Sequence, residues 1–180
     1  MNARVASPAS VQIAFTVFTL LLSVSVCSRL TVLVRLGDSQ IAEEILEADS
    51  VKDIITLEFK QTDGTLITFL ADFKRHVKVF RALVLGEPEK GQSQYQALCI
   101  ISHLDHGEFI PSEAMARLRQ KNAHVVRSAE ERRAVERFSL NTVLNMSLSW
   151  QLSAHIRNIC RDARDLVYTR KQDVLHWMDR

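Results

Sequence analysis

Six histidines (His76, His103, His106, His124, His155 and His176), three cysteines (Cys27, Cys99 and Cys160), an Asn145-Met146-Ser147 sequon and one acid inside an apolar run, Asp72, carry the chemistry open to this chain. His103 and His106, with Asp105 between them and Glu108 nearby, form the one dense group, and the chemistry they suggest is metal ligation. On a strand, positions three apart point to opposite faces, and no third ligand of suitable spacing follows. A polar turn at a strand end is the better reading, and neither a metal nor a cofactor is expected. There is no Gly-x-Ser-x-Gly elbow, phosphate-binding glycine loop or His-Glu-x-x-His helix. An enzyme built on His103, His106 and Asp105 is therefore an alternative that no motif supports, and the chain is read as non-enzymatic.

The cysteine count is odd, and the N-terminus resolves it. One charged residue, Arg4, precedes an apolar stretch over residues 13–26, which ends in small residues before Arg29. About 14 residues make a helix of roughly 21 Å, short of a hydrocarbon core of about 30 Å. The pattern is that of a secretory signal peptide over residues 1–28, cut after Cys27 or Ser28. A signal anchor and a buried core helix are the alternatives, the latter disfavoured because it would show a polar face. Cleavage removes Cys27 and leaves Cys99 and Cys160 in an oxidising compartment, where one disulfide would close a loop of about 61 residues. Two free thiols would instead require a cytosolic chain. Secretion also makes Asn145 an N-glycosylation candidate.

These residues need elements to position them. With 180 residues, 47% of them hydrophobic and 24% charged, the chain has room for one domain, residues 29–180, after the leader. Its 23 basic and 21 acidic residues nearly cancel, so no global charge favours nucleic acid. Residues 123–139 are the most charged segment, but acids alternate with bases and no aromatic platform accompanies them, so they are read as a solvated helix or loop. Strands are expected over residues 30–36, 41–48, 77–85 and 95–104. Residues 54–60 and 65–69 flank Asp63-Gly64 and form a hairpin, with Ile55, Leu57 and Phe59 on one face. Residues 111–122 read as a helix, with Met115 and Leu118 facing the sheet and Glu113 paired with Arg117. An apolar stripe at helical spacing runs through residues 152–167, and Tyr168-Thr169 begin a short strand. Strands followed by helices point to an α+β fold with an antiparallel sheet.

Asp72 ends the hairpin arm after Phe69-Leu70-Ala71 and precedes Phe73. It reads either as an acid capping the next turn or as a partly buried carboxylate whose protonation alters packing.

The runs Asp63 to Leu66, Ala71 to Lys74, Val77 to Leu83, Gly91 to Gln94, Ala97 to Cys99 and Ile110 to Asn122 closely resemble the out at first family, over nearly all of residues 30–177. That family in turn looks like a divergent BRICHOS-type domain, through Asp72, Cys99, the helix start at Ile110 to Glu113, and Asn158 with Cys160. This resemblance implies a BRICHOS-like α+β fold, a central antiparallel sheet with flanking helices, a Cys99–Cys160 disulfide, and Asp72 as a pH-sensitive carboxylate. Out at first proteins generally continue into a cysteine-rich C-terminal region, and no cysteine follows Cys160 here, so that region is expected to be absent.

The expected function is that of a secreted, extracellular, non-enzymatic glycoprotein that binds protein or peptide segments through an exposed sheet face or edge, in a developmental or signalling role. No nucleic acid and no stable membrane insertion after cleavage are expected. The alternative is a type II membrane-anchored, BRICHOS-like pro-protein domain with chaperone-like activity.

Overall fold

The computed structural model describes residues 27–35, 41–92, 95–118, 124–128, 139–163 and 166–179. Six strands follow one another as a meander: β1 (Cys27–Arg35), β2 (Ile41–Asp49), β3 (Ile54–Lys60), β4 (Leu66–Asp72), β5 (Val77–Leu85) and β6 (Tyr95–His103). Each is β-rich, and each connection is short enough to pair neighbours antiparallel. The β3–β4 turn shows the local cause. The Asp63 carboxylate accepts the Thr65 N–H at 2.8 Å, and Gly64 takes φ +89°, a backbone region that costs glycine nothing.

After β6 come α1 (Ser112–Ala116), β7 (Val126–Ser128), β8 (Thr142–Asn145), α2 (Met146–Leu152), α3 (Ala154–Ile159), β9 (Leu166–Thr169) and α4 (Lys171–Met178). Among the described residues the sheet has nine strands in the order β7-β1-β2-β3-β4-β5-β6-β9-β8. It is mixed, because β7 lies parallel to β1 and β9 parallel to β6, both reached by long crossovers.

The expected fold class is thereby corrected. In place of a BRICHOS-like α+β arrangement of an antiparallel sheet with flanking helices, the chain forms one large mixed sheet with a few short helices. The helical stripe over residues 152–167 is not one helix. Ser153 takes an extended backbone between α2 and α3, its hydroxyl accepts the His155 N–H, and the chain turns again at Cys160 before entering β9. The helix expected over residues 111–122 is α1 alone within the described residues, and the chain leaves it at Arg117. Met115 packs on the sheet as expected, whereas Leu118 is exposed and the buried contact is Ala116. Glu113 does pair with Arg117. In the charged segment the chain forms β7 at Val126–Ser128, and residues 129–138 lie outside the described residues. Residues 1–26 of the leader lie outside them as well, while Cys27 and Ser28 already belong to β1.

Alternation sets the two faces. Leu70, Val77, Val79, Cys99 and Ile101 meet Ile156, Cys160, Ala163 and Val167 in the main core. Burying aliphatic side chains as fully as Val79 and Ile101 contributes about 1.5–3 kcal/mol each. On the opposite face, Ala48 and Ile55 are covered by Ala116 and Met115 of α1, with Phe73 alongside.

Candidate functional site

The carboxylate of Asp72 ends β4 in the interior, 4% exposed. One oxygen accepts the Arg75 N–H at 3.0 Å and the other accepts the Ser153 hydroxyl at 2.6 Å. Since Ser153 also caps α3, this acid ties the β4–β5 turn to the helical layer across the core. Asp72 was singled out in the sequence as an acid in an apolar run. Its partner Ser153, distant in sequence, carries no local signal.

Cys99 on β6 and Cys160 after α3 are joined by a disulfide with a Cα–Cα distance of 5.7 Å, both fully buried. Beside it the Arg81 guanidinium donates to the Ile159 carbonyl at 3.0 Å, placing a cation at the C-terminal end of α3. Asn145 lies exposed at the junction of β8 and α2, and its Oδ1 accepts both the N–H and the hydroxyl of Ser147, at 2.9 and 2.8 Å.

His103 and His106 do come together, though not through strand geometry. β6 ends at His103, and the following turn brings His106 edge-on to His76, with ring centroids 4.8 Å apart. His76 also stacks near His103 at 6.2 Å, and His176 of α4 packs on His103 at 4.1 Å. Asp105 lies 3.6 Å from His103 Nε2. Sequence spacing found two of these four rings and missed His76 and His176, which only the fold brings near. Among the described residues no group of three His, Cys, Asp or Glu side chains is arranged to hold a metal ion.

Two concave regions flank β6. On one sheet face Phe69, Phe80 and Ile100 lie side by side in register, and Phe109 leans on Phe69 at 5.1 Å. They line a trough of about 290 Å³, whose polar end is the buried Lys78 amino group paired with Glu108. The larger region is a groove of about 630 Å³ between β6 and β9, walled by Val84, Gln92, Gln96, Leu98, Asp162 and Tyr168. Its geometry follows from the pairing. β6 is fully bonded to β5, and among the described residues its other side pairs with β9 at Ile100 and Tyr168. Residues Tyr95 to Leu98 therefore present a strand edge with no recorded strand partner among the described residues, and Tyr95 is 52% exposed. Asp162 is the one charged side chain on the described wall. Chemically this is a place for backbone hydrogen bonding and for both polar and apolar side chains.

Electrostatics elsewhere are local. Burial pushes Glu44 of β2 above the usual carboxylate range, on the face where it pairs with Val32 and Phe59. Hydrogen bonds from the Thr65 N–H hold Asp63 below that range, and those from Lys52 and Val51 do the same for Asp49. Among the described residues no helix is long and apolar enough to cross a membrane.

No solved structure matches the chain. It is 39% identical to the out at first protein of Drosophila virilis over 92% of its own length and 54% of that protein. It is 40% identical to the out at first protein of Drosophila melanogaster over 84% of its length and 31% of that protein. The chain thus spans about half the length of the first of these relatives and about a third of the second. The family model described as Out at first matches residues 28–177.

Proposed function

The chain belongs to the out at first family, and we propose that it is a secreted, N-glycosylated, non-enzymatic domain that binds extended protein segments along the edge of β6 at Tyr95 to Leu98, which has no strand partner among the described residues. The role suited to it is extracellular, in development or signalling. The observation that carries the reading is the edge itself: Tyr95 to Leu98 beside a groove of about 630 Å³ whose walls mix polar and apolar groups. An extended segment added there would pair its backbone with β6 and set alternate apolar side chains against Leu98 and Val84. Asp162 favours a basic residue in that segment. The apolar leader pattern over residues 1–28 and the Cys99–Cys160 disulfide support an oxidising, extracellular setting.

The test is a fluorescence anisotropy titration of the secreted protein with a short peptide alternating Val and Thr and carrying one Lys. Saturable binding is expected, weakened at least about tenfold by N-methylation of alternate peptide nitrogens or by Leu98→Glu, a loss of about 1.4 kcal/mol. Absence of binding, or binding indifferent to N-methylation, rejects the edge. Self-association through β6 would show as concentration-dependent mass in solution. Intact mass of the secreted chain, with and without reductant and glycosidase, tests cleavage, disulfide and the Asn145 glycan together. A retained Met1 region would reject secretion in favour of a membrane-anchored protein.

A further inference from the structure

Asn145 is the last residue of β8, which pairs with β9 and stands at one end of the described strand order. Leu144 packs against the main core, so alternation puts Val143 and Asn145 on the opposite face of the sheet. That face carries an apolar row running across the strands in register: Phe69 on β4, Phe80 on β5, Ile100 on β6, Tyr168 on β9 and Val143 on β8. Val143, at the outer end of the row, is 49% exposed, and the first turn of α2 adds Leu148, 57% exposed, three positions after Asn145. Asn145 therefore sits between two exposed apolar side chains, sharing the strand face of the one and the helix face of the other.

The side-chain amide of Asn145 is turned for attachment. A backbone N–H can only donate, so the Ser147 N–H at 2.9 Å fixes the amide oxygen on the helix side, where the Ser147 hydroxyl joins it at 2.8 Å. The cap thus uses Oδ1, and Nδ2, the atom that takes a glycan, donates to no group among the described residues. Attachment replaces one Nδ2 hydrogen with a sugar carbon. The C1–O bond of an oligosaccharide pyrophosphate donor breaks, the N–C1 bond forms, and the displaced proton leaves with the pyrophosphate. The amide oxygen is untouched, so the cap of α2 and the glycan coexist. We propose that this glycan holds the chain monomeric by standing on the apolar face where a second copy would otherwise pack, an inference that rests on the secretion and N-glycosylation proposed above. Two sheets packed face to face lie about 10 Å apart, a gap filled by interdigitated side chains. An oligosaccharide rising from Asn145 enters that gap only by losing its water, and its hydroxyls find no partners against Phe80 and Ile100. Without the glycan, the row from Phe69 to Val143 offers a second copy the same row in return, as a two-fold interface requires.

The test compares the secreted protein with a Ser147→Ala chain, which loses the sequon but keeps Asn145 and the backbone half of its cap, and with Ser147→Thr, which keeps the sequon. Intact mass first establishes which of the three chains carry a glycan. In sedimentation at rising concentration, the wild-type and Ser147→Thr chains should keep the mass of one chain. Ser147→Ala, and wild type stripped by a glycosidase under native conditions, should approach about twice the protein mass. Val143→Lys added to Ser147→Ala should return it to one chain, because the interface would then bury an unpaired charge from each copy. A glycosylated wild type beside a Ser147→Ala chain that stays monomeric overturns the shield and leaves the glycosylation standing. So does an association equally strong in wild type, or one unaffected by Val143→Lys. A secreted wild-type chain with no glycan on Asn145 overturns both.

Discussion

At the scale of the residue, Asp72 and Ser153 form a buried pair in which one hydroxyl serves two ends: it donates to the carboxylate and accepts the His155 N–H that begins α3. Removing it leaves a buried oxygen of Asp72 short of a donor and α3 without its cap. Ser153→Ala should cost about 2–3 kcal/mol in urea unfolding, and Asp72→Asn should couple to it in a double-mutant cycle by at least about 0.5 kcal/mol. Glu44 has the opposite character, because burial raises its pKa in the fold. The folded state then holds the proton more tightly than the unfolded one. Glu44 adds to stability at acid pH, and that contribution is lost as pH rises through the folded value. Glu44→Gln should accordingly raise the melting temperature at pH 7 and bring no gain at a pH below the ordinary value of 4.5, which thermal melts at the two pH values would show. Asp72 was visible in the sequence as an acid among apolar neighbours. Its two bonds were not, since the Ser153 partner belongs to another layer.

At the scale of the element, the strands were the most legible part, because alternation and turn chemistry are local. Ile55, Leu57 and Phe59 share a face through the register of β3 with β4, and Asp63-Gly64 forms the turn their pattern demands. A Cβ at Gly64 would meet Leu85 Cδ2 at an ordinary 3.9 Å, so the obstacle to substitution is the positive φ alone. Gly64→Ala should cost about 1 kcal/mol, read from the denaturant midpoint, without loss of the fold. The helices were less legible. The apolar stripe over residues 152–167 correctly marks Ile156, Cys160, Ala163 and Val167 as core. The same buried positions are met by a short helix, a turn and a strand, so periodicity alone could not separate them.

At the scale of the whole molecule, the disulfide fastens the helical layer to the sheet. Cys99 and Cys160 are 61 residues apart, and closing a loop of that size is worth about 4 kcal/mol by chain-entropy reasoning. A Cys99→Ala/Cys160→Ala chain should lose stability of that order in urea unfolding, with added reductant lowering the wild-type midpoint and leaving the variant unchanged. The sequence by itself determined the meander of six strands, the hairpin turn, the apolar positions of the core and membership of the out at first family. These depend on residue order within a few turns or strands, or on long runs of matching residues. Only the tertiary structure decided that β7 and β9 join the sheet in parallel, that the described helices are short, that Tyr95 to Leu98 of β6 have no strand partner among the described residues, and that four histidines meet. Each of those depends on contacts between segments far apart in the chain, which no local pattern of side chains encodes.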